Sequence, residues 1–201
     1  MKIEPATLSD CRGVAEVHVE SWQHAYKNIL PSEYLASLSI AKREAMWTGI
    51  VERQSSHLLV AREAGRIVGF VAFGPAHGEA ASRVAAEISA ICVRPAFWST
   101  GIGRQLWLDA LREMLSEGYE TISLWVLAGN VRASKFYERV GFPADPESRR
   151  HLEIGGATVD EMRFVFQATA QPGNWRSFMQ LRERLGPVRT DFLDPRKPRE
   201  Q

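Results

Sequence analysis

The sequence predicts a mixed α/β fold, and three observations carry that expectation. Apolar residues near the N-terminus recur at helical spacing, the middle of the chain turns to β-branched runs, and one strand halts at a proline and passes directly into a helix. A chain of 201 residues suits one domain with an appendage better than two full domains. Hydrophobic residues at 45% and charged ones at 24% lie close to the globular average, which argues against a disordered, collagenous or coiled-coil chain.

The first helix is expected where Thr7 and Asp10 form a capping box ahead of Val14, His18 and Trp22. Pro31 suits the start of a second, and Ser32 to Leu38 with Ile40 to Arg53 keep helical composition broken only by Gly49. From His57 the period changes. The runs HLLVA and RIVGFVAFG, joined by EAG, read as a two-stranded hairpin, and Gly74, Pro75 and Gly78 mark the loop after it. The run from Ala85 to Val93 is a further strand, closed by Pro95. Strict alternation along it puts Ala86, Ile88, Ala90 and Cys92 on one apolar face and Glu87 and Ser89 on the other. Ile102, Leu106, Ala110, Leu111 and Met114 then trace one helical stripe that ends at Gly118. TISLWV is the next strand. Asn130 opens a short helix carrying Ala133, Phe136, Tyr137 and Val140, and Gly141 ends it. RHLEI and TVDEMRFVF complete the regular part, turned by Gly155 and Gly156.

Twenty-five basic against 24 acidic side chains leave a net charge of +1, so no overall field draws nucleic acid or an anionic membrane, and neither is an expected partner. An anionic ligand has to be held locally. The two cysteines, Cys11 and Cys92, suggest neither a disulfide framework nor a zinc site, and no metal is expected. MKIEPATLSD has no signal-peptide core, and Ile67 to Phe73 falls far short of the ~20 apolar residues of a membrane span, so a soluble cytoplasmic protein is expected. Beyond Phe166 the composition shifts: residues 167–201 hold seven basic and four acidic side chains. Trp175, Phe178 and Leu185 fit one face of a short docking helix there, and a homodimer held by this segment stays open.

The most informative stretch is ICVRPAFWSTGIGRQLW, a strand, a proline stop, two glycines and a helix start in succession. At a helix N-terminus the first amide hydrogens lack internal partners and the dipole adds roughly half a positive charge. With no Cβ at Gly101 and Gly103, a diphosphate can approach the backbone of Ser99, Thr100, Gly101, Ile102, Gly103 and Arg104. A dinucleotide-binding fingerprint needs a third glycine where Leu106 stands, and a Walker loop needs a Gly-Lys-Ser/Thr that is absent; a plain tight turn is the remaining structural reading.

This stretch resembles the GNAT superfamily of acetyl-CoA-dependent N-acetyltransferases. Its pyrophosphate motif, (Q/R)xxGx(G/A), is matched by WSTGIG with Trp98 in place of Gln or Arg, and its Asn-helix-GF segment by NVRASKFYERVGF, residues 130 to 142. The likeness covers residues 1 to 166, taken as the acetyltransferase domain, with 167–201 as a basic extension. It implies a twisted mixed sheet of six to seven strands flanked by about four helices, in which the fourth and fifth strands splay to admit the thioester. It further implies that backbone groups of Ile91 and Val93 pair with the pantetheine arm, that Asn130 hydrogen-bonds that arm, and that Tyr137 lies near the sulfur.

The implied reaction sets its own demands. An acceptor amine such as lysine, with a pKa about 10.4, costs roughly 4 to 5 kcal/mol to deprotonate at pH 7. Glu87 interrupts an apolar strand and is the candidate base, acting directly or through a water; its structural reading is an ion pair with Arg83 or Arg94. Tyr137 is the candidate donor to the leaving thiolate, or else a core aromatic. Trp22, His24 and Tyr26 fall where the family shapes its acceptor pocket, His18 reads as a hydrogen-bonded core residue, and Cys92 as packing. The expected function is direct acetyl transfer to a small-molecule or peptide amine. The alternative is a non-catalytic binder of acyl-CoA or of a partner.

Overall fold

The computed structural model describes residues 1–78 and 81–168. The expectation placed on Trp175, Phe178 and Leu185 lies outside the described residues.

A seven-stranded sheet runs through the structure in the order β1-β2-β3-β4-β5-β7-β6. Its strands are β1 (Lys2–Pro5), β2 (His57–Glu63), β3 (Arg66–Pro75), β4 (Ala85–Val93), β5 (Thr121–Leu127), β6 (Ala144–Ile154) and β7 (Ala157–Gln167). The β4 and β5 pair is parallel, joined by a helical crossover, and the others are antiparallel. The helices are α1 (Cys11–Ala25), α2 (Ser32–Ala36), α3 (Ile40–Arg53), α4 (Ile102–Ser116) and α5 (Val131–Arg139).

Each helix begins where the sequence supplies a start. The Thr7 backbone and hydroxyl both donate to Asp10 at 2.9 Å, closing the capping box ahead of α1. Ser39 caps α3 by accepting from the Lys42 amide at 3.3 Å, which separates it from α2; Gly49 sits inside α3 without breaking it. The four-residue strand β1 is too short to show a period. It forms by pairing Ile3 with Ala61, and Arg62 ties it down through Glu4 at 2.7 Å and Asp10 at 2.5 Å. At the β6–β7 turn, Gly155 has φ +61, and a Cβ there would fall 2.3 Å from Tyr34 Cγ, so only glycine lets α2 close over the turn.

Two apolar layers cover the sheet. On one face α1 and α3 pack Val14, Val17 and Trp47 against Phe70, Ala72 and Val60. On the other, α4 packs Ile102, Leu106, Trp107 and Leu111 against Val71, Phe73 and Ile122, with Tyr137 and Val140 of α5 alongside. Trp107 is 1% exposed and meets the Phe142 ring at 4.8 Å. Trp107→Ala is therefore expected to cost about 3 to 5 kcal/mol of unfolding free energy. Chemical denaturation measures this, and a loss below about 1 kcal/mol would contradict this packing.

The alternation expected along β4 does not hold through its length. Ala72 pairs with Ala90 but Phe73 pairs with Ile88, so Ser89 is an extra residue, a β-bulge, with its hydroxyl donating to the Ala72 carbonyl at 3.3 Å. The bulge exchanges the two faces. Ala86 and Ile88 belong to the α4 layer, whereas Ala90 and Cys92 pack with the α1 and α3 layer, on the side that Glu87 faces.

Candidate active site

The bulge also sets where β4 leaves β5. Their register runs only through Ala85↔Thr121, Ala86↔Ile122 and Glu87↔Ser123, two residues short of Ser89. A bulge bends its strand and sharpens the twist, which turns the rest of β4 away from a straight parallel neighbour. The two strands part there, and a cavity of about 550 Å³ lies between and beside them.

Backbone groups line one wall of this gap. The Arg94 amide donates to the Val68 carbonyl at 2.8 Å, which makes Gly69 and Val93 a non-hydrogen-bonded pair of the β3–β4 ladder. The amides and carbonyls of Val93 and of Ile91, two residues earlier, therefore point away from β3 toward the gap. Val93 is only half available. Its carbonyl accepts the Ser21 hydroxyl at 2.9 Å and the Trp98 indole N–H at 2.7 Å, which leaves its amide for a ligand beside both groups of Ile91.

Below this wall lies the start of α4. Ser99 and Gly101 both take left-handed φ, +64 and +93, and turn the chain sharply into the helix. No side chain caps α4, whereas Asn130 caps α5 by accepting from the Ala133 amide at 3.2 Å. The first intrahelical bond of α4 runs from the Gln105 amide to the Gly101 carbonyl, so the amides of Ile102 and Gly103 have no helical acceptor. Ile102 anchors the turn from within the core, and the Thr100 hydroxyl holds it by donating to the Phe97 carbonyl at 2.7 Å. At Gly103 a Cβ would meet Val93 and Phe136 only at 3.7 to 3.9 Å, ordinary contact distances. The fold thus tolerates a side chain at Gly103, and the space it leaves lies over the first amides of the helix, ahead of its hydrogen-bond ladder. A diphosphate fits such a cradle.

Two groups with proton chemistry reach the cavity from different elements. Glu87 is half-buried; burial raises its carboxyl above the ordinary range, with His77 and Arg150 opposing and Glu161 adding to the rise. Neither expected ion pair forms among the described residues, because Arg94 is committed to Glu16 at 3.1 Å and to Glu20. Tyr137 is buried between Phe136 and Phe142, yet it also lines the cavity, and its hydroxyl makes no hydrogen bond to another described residue. Burial drives the phenol well above its usual pKa, so it stays protonated and can only donate or accept a hydrogen bond.

The acceptor side is aromatic. Trp22 and Tyr26, one helical turn apart, meet edge to face at 4.9 Å and line the cavity with Trp47 and Met46. His24 is placed elsewhere. It is exposed, its Nδ1 lies 2.9 Å from the Glu20 carbonyl, and its ring meets Trp98, since at 3.6 residues per turn it faces away from its two neighbours. Burial pushes the Tyr26 phenol up to about 12, Cys92 adds to this, and hydrogen bonding from Asn130 opposes it. The Asn130 side chain, expected on the cofactor arm, is thereby engaged with the helix it caps and with Tyr26, at the edge of the cavity. His18 accepts the Trp47 indole N–H on Nδ1 at 3.2 Å, and burial lowers its pKa to about 3, so it is neutral and unsuited as a base near pH 7. Cys92 lines the cavity among apolar neighbours that push its thiol up to about 12, against a role as thiolate.

Sequence reasoning did not find a second carboxylate that lines the cavity. Glu161 is 7% exposed and ion-paired with Arg150, whose guanidinium stacks 3.7 Å from the centre of the Trp125 ring. Alternation in TVDEMRFVF puts Glu161 on the same face as the buried Val159, and that is the signal that could have found it.

Comparison with known proteins agrees with this geometry. The acetyltransferase (GNAT) family profile matches residues 19–142. The N-acetyltransferase YuaI of Bacillus subtilis is 29% identical over 161 residues, which span 80% of this chain and 89% of that protein. An N-acetyltransferase of Archaeoglobus fulgidus is 30% identical over 138 residues, 68% of this chain and 89% of that one. The crystal structure of PaiA N-acetyltransferase from Thermoplasma acidophilum in complex with coenzyme A superposes with a TM-score of 0.66 at 22% identity, over 83% of this chain and 99% of that one, a likeness of fold.

Proposed function

The chain belongs to the GNAT acetyltransferase family and takes its acetyl group from acetyl-CoA, and from that premise we propose that it acetylates a primary amine directly, in a ternary complex. The carrying observation is the early end of the β4–β5 pairing at Glu87, which opens one cavity with Glu87 and Tyr137 on its walls and with Val93, beside the uncapped start of α4, on its rim. Acetyl-CoA supplies an activated acetyl thioester. In this reading the amides of Ser99 to Arg104 hold the pyrophosphate, and the free backbone groups of Ile91 and Val93 align the arm as a strand would. Glu87 takes the proton from the ammonium, through a water or directly. Tyr137 hydrogen-bonds the departing sulfur, and Trp22 and Tyr26 flank the amine's side chain. Residues 1–166 form the catalytic domain, with 167–201 an extension to it, and the protein works in the cytoplasm. No helix among the described residues is long and apolar enough to cross a membrane.

Free-thiol release with a panel of small amines and peptides, followed by product mass, tests the reading. Intersecting initial-velocity lines are expected; release by none of the amines in a protein that binds coenzyme A would favour the non-catalytic binder. Tyr137→Phe is expected to lower turnover roughly 100-fold, the low end of general-acid effects, with the KM for acetyl-CoA within about twofold. An unchanged turnover would return Tyr137 to a packing role.

A further inference from the structure

The departure from the family motif at Trp98 has a structural counterpart on α5. Trp98 removes the side-chain donor that a Gln or Arg would bring to the diphosphate, in a chain whose net charge of +1 offers no general attraction for it. The Trp98 ring is held in place. Its indole N–H donates to the Val93 carbonyl at 2.7 Å, and the His24 ring stands perpendicular to it at 6.4 Å. Over the ring lies the Arg132 guanidinium, with Cζ 3.5 Å from the ring centroid.

Arg132 is the second residue of α5, across the gap from β4, and lines the same cavity. Stacking engages only the flat face of a guanidinium and leaves its in-plane N–H groups to hydrogen-bond, the geometry that suits a bidentate grip on phosphate oxygens. Among the described residues no carboxylate pairs with it, whereas Arg62, Arg94, Arg150 and Arg163 are each matched to an acid. Trp98, on which it stacks, immediately precedes Ser99, where the cradle begins, and that brings the charge close to the start of α4.

We propose that Arg132, oriented by stacking on Trp98, is a cofactor-binding residue that contacts the pyrophosphate of coenzyme A and replaces the side chain lost at position 98. The proposal rests on the acetyl-CoA reading above and adds to it a residue from the opposite wall of the gap.

Calorimetric titration of the full chain with coenzyme A, 3′-dephospho-coenzyme A and pantetheine tests it. Arg132→Ala is expected to weaken coenzyme A and the dephospho form alike, by about tenfold or more, as suits a lost charge-assisted hydrogen bond, and to leave pantetheine unchanged. In a Trp98→Leu background the same substitution should cost less than threefold, because the platform that orients the guanidinium is gone. Equal affinity of wild type and Arg132→Ala for coenzyme A would overturn the proposal, as would equal weakening of pantetheine or a penalty that vanishes with the dephospho form. Failure of the unmodified protein to bind coenzyme A at all would instead sink the underlying reading, and this proposal with it.

Discussion

Gly103→Val is expected to raise the dissociation constant for coenzyme A at least about 100-fold in a protein that folds normally, as two lost hydrogen bonds to a charged group at about 1.5 to 3 kcal/mol each would do. The site allows a clean experiment. Gly103 does not have a left-handed φ, and a Cβ there makes only ordinary contacts with Val93 and Phe136. Valine also has a higher helix propensity than glycine, so unfolding stability should hold. What the two added methyl groups fill is the space over the first amides of α4, where the diphosphate must approach within hydrogen-bonding distance. Gly103→Ala, two carbons smaller than valine, should give an intermediate loss. Gly101 would be the poorer choice, because its φ of +93 means that any side chain strains the backbone as well. Calorimetry reads the effect, and unchanged affinity in Gly103→Val would place the diphosphate elsewhere.

Much of this arrangement could be read from residue order, and the parts that could not share a cause. Capping boxes, glycine stops and helical stripes are local, and α1, α4 and α5 follow them: Thr7, Gly118, Asn130 and Gly141 mark ends that the structure keeps. The bulge at Ser89 is not local. It exists because Ala72 and Phe73 of β3 pair with β4 around an extra residue, and nothing in AAEISAICV announces which residue that is. Assuming strict alternation therefore put Cys92 on the wrong face while placing Glu87 on the correct one. Strand β1 was missed for a related reason, as its four residues become a strand only by meeting β2. Arg132 illustrates the same limit at the level of the site. Its sequence neighbour Asn130 drew attention through a motif, whereas the contact with Trp98, 34 positions away, is a product of the fold.

Glu87→Gln should lower turnover by roughly 100-fold or more, in line with loss of a general base, while the dissociation constant for coenzyme A stays within about twofold. Glu87 lies on the amine side of the gap, on the face shared with Ala90, Cys92 and the aromatic pocket, and no ion pair among the described residues diverts it from a proton. Its raised pKa, due first to burial, makes it a stronger base than an ordinary carboxylate. Activity must then fall as the pH drops through that raised value, so the acid limb of kcat/KM should lie above the ordinary carboxylate value of 4.5 and should disappear in Glu87→Gln. Stability runs the other way. A carboxyl that binds its proton more tightly when folded weakens the fold as the pH rises through its folded pKa, so at neutral pH the neutral glutamine should leave the thermal midpoint unchanged or slightly higher. Lower turnover joined to an undiminished midpoint therefore separates a chemical role from a structural one. Equal turnover in the two proteins, or an acid limb that persists in Glu87→Gln, would move the base to another group, and Glu161, which also lines the cavity, would be the next to replace.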